Sequence, residues 1–361
     1  MRILHTEWSD GWGGQERRIL AEMCGMAARG HWVALATRPQ ARLAEKARQA
    51  GLPVFTFPFR GKLDPVTLVG LMRLIGRERV DIVNTHSGLD SWVGGLAARL
   101  AGARLLRTRH LNYPLHRSWH NFIHYLPQRI IACGEVMRWD LIERDGFPPA
   151  QLASIPTGID FQTFRPRHSR QETRAALGLA EESWVILMVG VIRQVKRHEI
   201  ALEALAALGG RVPNPVLLLA GDGPREENVR RYAEELGVAD RVRFLGHRDD
   251  VPDLLAAADC FILTSRSEGV PQAVTQALGS GLPVVATAVG GVPELVQDGV
   301  TGLLVPAENP AAVADALARV ATEPGLAARL AAGGQAHAQG HFSLQAMIDA
   351  TEALCAQVLE Q

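Results

Sequence analysis

Residues 265–286 read SRSEGVPQAVTQALGSGLPVVA, and this stretch decides the fold. An apolar run that predicts a buried strand ends at Thr264, a glycine-containing loop follows, and a helix is expected from about Pro271. A second apolar run, Val284–Ala286, follows that helix. This order is typical of a parallel strand–helix–strand unit, in which the loop after the first strand presents backbone N–H groups and the positive end of the helix dipole to an anion.

The same alternation of short apolar runs with helical patterns fills the chain. The strands expected in the first half are Arg2–Thr6, Trp32–Thr37, Val54–Phe57, Asp81–Thr85, Arg104–Thr108 and Arg129–Cys133. Those expected in the second half are Trp184–Val189, Val216–Ala220, Val242–Leu245, Cys260–Leu263, Val284–Ala286 and Leu303–Val305. The pattern predicts an α/β protein with two doubly wound parallel sheets, that is, two Rossmann-like domains facing a central cleft.

A proline-rich stretch separates the two series. Residues 146–167 read GFPPAQLASIPTGIDFQTFRPR, which indicates a linker near Phe164–His168. The length of 361 residues fits two domains. We therefore expect an N-terminal domain over residues 1–164 and a C-terminal domain over residues 165–342. A last helix at about 343–361 would cross back onto the first domain.

Charge and cysteine content narrow the function classes. The chain has 38 basic and 38 acidic side chains, a balance that argues against a nucleic-acid-binding protein. Residues 1–163 nevertheless hold 21 basic against 14 acidic side chains, which favours contact of the first domain with an anionic membrane surface or a phosphorylated acceptor. An arginine-rich composition explains the same excess without a partner. Four separated cysteines and the lack of a long apolar run predict a cytoplasmic protein.

Charged side chains occur where the predicted loops would meet a ligand. Glu268 stands at the mouth of its loop, where a carboxylate can accept hydrogen bonds from sugar hydroxyls, or can simply cap the following helix. Gln276 lies about two helical turns further along the same face. Arg193 and Lys196 share one loop and could stabilise a leaving diphosphate, or form a solvated basic loop.

These segments resemble the donor-binding core of retaining glycosyltransferases with the GT-B fold, family GT4. The family pattern S-x-x-E-G-x-P is matched by Ser265, Glu268, Gly269 and Pro271. The resemblance continues through VGVIRQVK at 189–196, AGDGP at 220–224, VRFLG at 242–246 and GVTGLLV at 299–305. It implies transfer of a sugar from a nucleotide-sugar donor to a glycan or lipid-linked acceptor, in lipopolysaccharide or cell-envelope polysaccharide synthesis, with no cofactor and no metal.

The resemblance also implies roles for individual residues. The catalytic groups that it implies are His110, Arg193, Lys196 and Glu268, with His110 facing the reacting sugar from the end of a strand in the first domain. The donor-binding residues that it implies are Gly13, Gly14, Arg193, Lys196, Gly246, His247, Glu268, Gly269, Val270, Pro271 and Gln276. Within this set, Arg193 and Lys196 would hold the diphosphate, Gln276 the ribose, and the Gly246–His247 backbone would flank the base.

One departure from the family leaves other functions open. The family has a second Glu where this chain has Gln276, which can bind a diol but carries no charge. A non-hydrolysing nucleotide-sugar epimerase of the same fold and a catalytically inactive nucleotide-sugar-binding protein are the alternatives. His116, His120 and His124 recur at a helical spacing, which favours a surface facing the acceptor or a membrane over a metal site.

Overall fold

The computed structural model describes residues 1–115 and 119–360, without the side chains of residues 119 and 120. The chain divides into two compact units. One unit is Met1–Gly158 together with the chain from Leu344 onward, and the other is Ile159–Ser343. Each is built on its own parallel sheet.

The sheet of the first unit has seven strands among the described residues. They are β1 (Arg2–Glu7), β2 (Trp32–Thr37), β3 (Val54–Thr56), β4 (Ile82–Thr85), β5 (Arg104–Arg109), β6 (Arg129–Ala132) and β7 (Leu152–Ser154). The helices of this part are α1 (Gly14–Ala28), α2 (Arg42–Gln49), α3 (Pro65–Glu78), α4 (Gly88–Ala101) and α5 (Glu135–Glu143), with 3-10 turns at Trp119–Tyr125 and Pro149–Gln151. The strand order β3-β2-β1-β4-β5-β6-β7 reverses between β1 and β4.

The second unit repeats this plan with six described strands. They are β8 (Trp184–Val189), β9 (Pro215–Ala220), β10 (Val242–Gly246), β11 (Cys260–Leu263), β12 (Val284–Thr287) and β13 (Leu303–Val305). Its helices are α6 (Arg170–Ala176), α7 (His198–Leu208), α8 (Glu226–Glu235), α9 (Val251–Ala257), α10 (Gln272–Gly279), α11 (Val292–Leu295), α12 (Pro310–Thr322) and α13 (Leu326–His341), with 3-10 turns at Gln194–Lys196 and Ala239–Arg241. The order β10-β9-β8-β11-β12-β13 reverses between β8 and β11.

Both reversals position candidate sites. In doubly wound sheets, ligands bind beyond the carboxyl ends of the strands at the point where the order reverses. In the first unit this point is formed by the loops after β1 and β4, and in the second by the loops after β8 and β11. The central strands are apolar on both faces because helices cover both sides of each sheet.

The last helix, α14 (Leu344–Glu360), belongs to the first unit and packs against α1. A Cβ atom at Gly25 would lie 2.6 Å from the Ile348 side chain, so a glycine is required where the two helices meet. Arg29 Nη1 lies 2.5 Å from Glu352 Oε2, and His31 Nε2 lies 2.6 Å from Glu352 Oε1. Shape and charge therefore both hold this helix in place.

The predicted pair of Rossmann-like domains is confirmed, whereas the stretch interpreted as a linker is more structured than expected. It contains β7, whose Leu152 pairs with Ile130 of β6. The units divide at Gly158, before Phe164–His168, because Phe161 and Phe164 pack against the core of the second unit. No helix in the described part of the chain has the length and apolar character needed to span a bilayer.

Candidate functional site

The loops after β8 and β11 are joined by a partly buried ion pair. Lys196 Nζ lies 2.7 Å from Glu268 Oε1, and Ser265 Oγ lies 2.5 Å from the same oxygen. The two charged side chains are only 22% and 10% exposed. Both contacts fall on Oε1, and no described residue forms a hydrogen bond with Oε2 of Glu268. One oxygen of a fixed carboxylate is thus available to a ligand hydroxyl.

Helix capping by Glu268 is excluded as its role. Helix α10 begins at Gln272, and its N-cap residue is Pro271. No side-chain capping hydrogen bond is formed at this end of the helix. Pro271 is buried and Val270 is half-buried against the core of the unit, while Gly269 is exposed. Glu268 instead interacts with the neighbouring loop through Lys196.

Arg193 lies on the same short turn as Lys196 but differs in its environment. It is the residue that precedes the 3-10 turn Gln194–Lys196, and its side chain is exposed. Among the described residues, no carboxylate forms an ion pair with it. The turn therefore offers one cation already paired with Glu268 and one that is free to bind an anion.

Glycines allow the loops at this edge to pack closely. Gly290 has φ +52°, and a Cβ atom there would lie 1.8 Å from the backbone oxygen of Glu268. The next residue, Gly291, donates its N–H to the Gly269 carbonyl at 2.8 Å. The loop after β12 thus supports Glu268 and Gly269 directly, which only a residue without a side chain permits at Gly290.

Three further donor-site candidates lie on neighbouring elements of the same unit. Gln276 is half-buried on α10, and its side-chain amide forms no hydrogen bond within the described residues. Gly246 ends β10 with φ +65° and accepts a 2.7 Å hydrogen bond from Gly221 N. The His247 side chain is 69% exposed, with Nε2 3.5 Å from Asp249 Oδ1. The structure thus joins Lys196 to Glu268 and leaves Gln276 and His247 without a direct bond to that pair.

In the first unit, His110 follows β5 directly and forms part of a histidine chain. His110 Nε2 lies 3.1 Å from His86 Nδ1, and His86 Nε2 lies 2.9 Å from His5 Nδ1. His110 Nδ1 lies 3.7 Å from the sulfur of Cys133. The sequence interpretation missed His5, which lies within β1, and His86, which directly follows the adjacent strand β4.

Burial keeps these imidazoles neutral. It lowers the pKa of His5 to about 3 and lowers the pKa values of His86 and His110 well below the ordinary value. The positive charge of Arg18, whose side chain is almost completely buried, lowers the pKa values of His86 and His110 further. The charged imidazolium form is therefore disfavoured at all three of these histidines.

A buried carboxylate pair, also missed from the sequence, lies close to the histidines. Burial, followed by the negative charge of the nearby Asp90, raises the pKa of Glu7 to about 8. Ser87 Oγ lies between them, 3.2 Å from Glu7 Oε1 and hydrogen-bonded to Asp90 Oδ1. Glu7 Oε2 also accepts a 2.5 Å hydrogen bond from Gln15 Nε2.

Gly13 and Gly14, the two donor-site candidates in the first unit, lie at the start of α1. Gly13 N donates to Glu16 Oε2 at 2.7 Å as part of a capping box at the start of α1. Gly14, the first residue of α1, is exposed, as is Gly13. The Gly13 N–H therefore already has an intramolecular partner.

Of the three repeated histidines, only His124 has a described side chain. His116 and the side chain of His120 lie outside the described residues, and His124 is buried on a 3-10 turn, where it contacts Arg107 Nη1. Burial lowers the pKa of His124 to about 2. The predicted surface role of His124 is thus wrong, because the ring packs inward. The described residues contain no group of three or more His, Cys, Asp or Glu arranged to hold a metal ion.

Comparison with known proteins identifies the family. The family model described as glycosyl transferases group 1 matches residues 169–337, and that of glycosyltransferase family 4 matches residues 12–163. A D-inositol 3-phosphate glycosyltransferase of Actinosynnema mirum is 33% identical over 91% of this chain and 88% of its own length. A UDP-Gal:alpha-D-GlcNAc-diphosphoundecaprenol alpha-1,3-galactosyltransferase of Escherichia coli is 29% identical over 71% of this chain and 70% of its own.

A solved structure supports the same fold. Anabaena Alr3699/HepE, in complex with UDP and glucose, superposes with a TM-score of 0.83 at 23% identity, over 99% of this chain and 100% of its own. This likeness, with the two reversed parallel sheets, confirms the predicted GT-B fold. The chain therefore belongs to the group 1 glycosyltransferases of glycosyltransferase family 4.

Proposed function

We propose that this chain transfers a sugar, with retention of configuration, from a nucleotide-sugar donor to a glycan or lipid-linked acceptor in lipopolysaccharide or cell-envelope polysaccharide synthesis. The observation that carries the proposal is the Lys196–Glu268 pair, in which a fixed carboxylate keeps Oε2 available beside a cation. Sugar hydroxyls need such an acceptor, and a departing diphosphate needs cations. Arg193, exposed on the same turn, supplies the second cation.

These environments support the roles that we propose for residues of the second unit. Arg193 and Lys196 stabilise the diphosphate without a resident metal, Glu268 accepts hydrogen bonds from the sugar, and Gln276 binds the ribose through its unpaired amide. The Gly246–His247 backbone flanks the base, and the segment 269–271 approaches the donor phosphate. UDP is the nucleotide best supported, because the Anabaena protein is described with UDP and the Escherichia coli relative is named for UDP-Gal.

For the transfer itself, we propose a front-face displacement. The acceptor hydroxyl oxygen forms a bond to the anomeric carbon on the side from which the diphosphate leaves, and the hydroxyl proton passes to the leaving phosphate. His110 would hydrogen-bond the donor sugar, and Gly14 would lie near its phosphate. The two cations favour this step because charge grows on the phosphate as the sugar–phosphate bond breaks.

An exposed surface formed by α3 and the residues just before it supports a proposed contact with an anionic membrane. Leu63, Val66 and Val69 are 67%, 56% and 44% exposed. Lys62 and Arg73, also exposed, lie beside them in sequence. Exposed apolar side chains with neighbouring cations fit the interface of a bilayer that contains acidic lipids. Together with the four free cysteines, this surface supports a cytoplasmic enzyme at the inner membrane face.

Acceptor-dependent release of the nucleotide tests the proposed reaction. The purified chain is incubated with a panel of UDP- and GDP-sugars, with and without lipid-linked acceptors, and nucleotide and product are quantified. Release that requires an acceptor supports the transferase. Isomerised donor without an acceptor would identify an epimerase, and donor binding without turnover would identify an inactive binding protein; either result contradicts the proposal.

Vesicle flotation tests the membrane contact separately. We expect the chain to float with phosphatidylglycerol vesicles and not with phosphatidylcholine vesicles, and Val66→Glu with Val69→Glu to abolish flotation. Leu100, 62% exposed on α4, provides the control, because Leu100→Glu adds negative charge on a different helix. Equal flotation of both variants with the unmodified chain would contradict the proposed surface.

A further inference from the structure

Three adjacent strands of the first unit bring three imidazoles into one hydrogen-bonded chain. β1 pairs with β4, and β4 pairs with β5. His5 lies on β1, His86 follows β4 and His110 follows β5. The nitrogen–nitrogen distances of 2.9 and 3.1 Å are within hydrogen-bonding range. His86 bonds to His5 through Nε2 and to His110 through Nδ1.

Because the three imidazoles are neutral, the hydrogen bonds between them must all be donated in one direction. A neutral imidazole has one N–H donor and one lone-pair acceptor. If His86 donates through Nε2, it must accept through Nδ1, and the reverse holds for the other tautomer. The three rings therefore share two alternative arrangements, and fixing the tautomer of one ring fixes the others. His5 and His86 are 1% and 3% exposed, so water has little access to compete for the hydrogen bonds between the histidines.

The contact of His110 with Cys133 favours one of the two tautomer arrangements. Burial raises the pKa of the Cys133 thiol, which keeps its proton. Thiol sulfur is a weak acceptor, whereas an imidazole lone pair is a good one, so S–H donates to His110 Nδ1 across the long 3.7 Å contact. His110 then carries its proton on Nε2 and donates to His86, which donates to His5.

We propose that His86 and His5 are positioning residues that hold His110 in its Nε2-protonated tautomer and present Nδ1 as an acceptor for a substrate hydroxyl. The thiol of Cys133 is the weak partner that the hydroxyl replaces. The role toward a substrate rests on the proposed function, whereas the tautomer does not. The hydrogen-bond chain thus determines which kind of group His110 can receive.

Nitrogen-15 NMR of the full chain labelled at histidine tests the tautomer without any substrate. The His110 signals are assigned by their loss in His110→Asn. We expect protonated Nε2 and unprotonated Nδ1 for His110, and the same tautomer for His86 and His5. A His110 ring protonated at Nδ1, or at both nitrogens, at neutral pH would overturn the proposal even if the chain proves to be an active transferase.

Two variants of His86 test the positioning role. His86→Leu breaks both hydrogen bonds, whereas His86→Asn retains one donor and one acceptor. We expect His86→Leu to lower kcat about tenfold or more with KM for the donor within roughly twofold, and His86→Asn to recover part of the rate. In the spectrum of His86→Leu, His110 should populate both tautomers. Equal rate losses in both variants, with an unchanged His110 spectrum, would contradict the proposal.

A histidine outside the first unit provides the control for both the activity measurement and the NMR spectrum. His337 lies in the second unit, where Nε2 contacts the Glu294 carbonyl at 3.2 Å, and His337→Leu should change neither the kcat nor the His110 tautomer. If the unmodified chain shows no acceptor-dependent nucleotide release, the proposed function fails while the spectrum still reports the tautomer. If His86→Leu does not fold, the spectrum of the unmodified chain still decides the proposal.

Discussion

Nζ of Lys196 lies 2.7 Å from Oε1 of Glu268, so that one ion pair links the loops after the two central strands of the second unit. The carboxylate is oriented by Lys196 and Ser265 rather than by the helix that follows it. A group held in this way before the ligand arrives needs little reorganisation on binding.

Removal of the Glu268 carboxylate should affect turnover much more than stability. We expect Glu268→Ala to lower turnover about a hundredfold or more, because a preorganised hydrogen-bonding group is lost. The free energy of unfolding should fall by about 2 kcal/mol, because the largely buried Lys196 ammonium loses its partner. Nucleotide release and urea unfolding measure the two effects. Glu226→Ala, which removes the half-buried partner of the exposed Arg230, is the control. A stable Glu268→Ala with a near-normal rate would remove this residue from the site.

Gln276→Glu should retain or improve nucleotide affinity. The side-chain amide of Gln276 has no hydrogen-bond partner among the described residues, so a carboxylate of similar shape displaces no existing bond. Carboxylates accept hydrogen bonds from a ribose diol more strongly than amides do. Calorimetric titration with UDP measures the change, with Gln276→Ala as the comparison that should weaken binding. A large loss of affinity in Gln276→Glu would show that this position does not meet the ribose.

Gly290→Ala should disturb the loop that carries Glu268, although Gly290 itself lies in the loop after β12. Its φ of +52° is unfavourable for alanine, and the new Cβ would meet the Glu268 carbonyl oxygen. We expect a loss of at least about 1 kcal/mol in the free energy of unfolding and weaker UDP binding. A Cβ atom at Gly210 would meet only open space, so Gly210→Ala should be neutral or slightly stabilising. Similar behaviour of the two variants would contradict the close packing at Glu268.

Glu7→Gln should flatten the dependence of stability on pH. The folded-state pKa of about 8 lies above the ordinary 4.5, so within this window the folded chain keeps a proton that the unfolded chain loses. Stability of the unmodified chain therefore falls as the pH rises from about 4.5 to about 8.

The glutamine variant lacks this titration and should lose less stability over the same window, as measured by urea unfolding at several pH values. Glu143 is exposed, and Glu143→Gln should leave the slope unchanged. A slope in Glu7→Gln equal to that of the unmodified chain would show that Glu7 titrates normally.

The sequence predicted the fold well because its central strands are buried on both faces and appear as apolar runs such as Val185–Met188. β7 escaped prediction because it has three residues within a proline-rich stretch, and its pairing with β6 defines it. Glu268 could be selected as a site candidate because its motif is local in the sequence. His5 and His86 were missed because their contact depends on the order of strands across the sheet, which no local pattern encodes.

The return of α14 to α1 determines how this protein can be recombined with its relatives. The first unit is encoded in two separate stretches, whereas the second is one uninterrupted insert, Ile159–Ser343. A chimera that receives the second unit of a relative should therefore exchange only that insert. A simple head-to-tail fusion would also replace Ile348 and Glu352. Gly25 and Arg29 of α1 and the turn after it would then lose the side chains that they contact in α14.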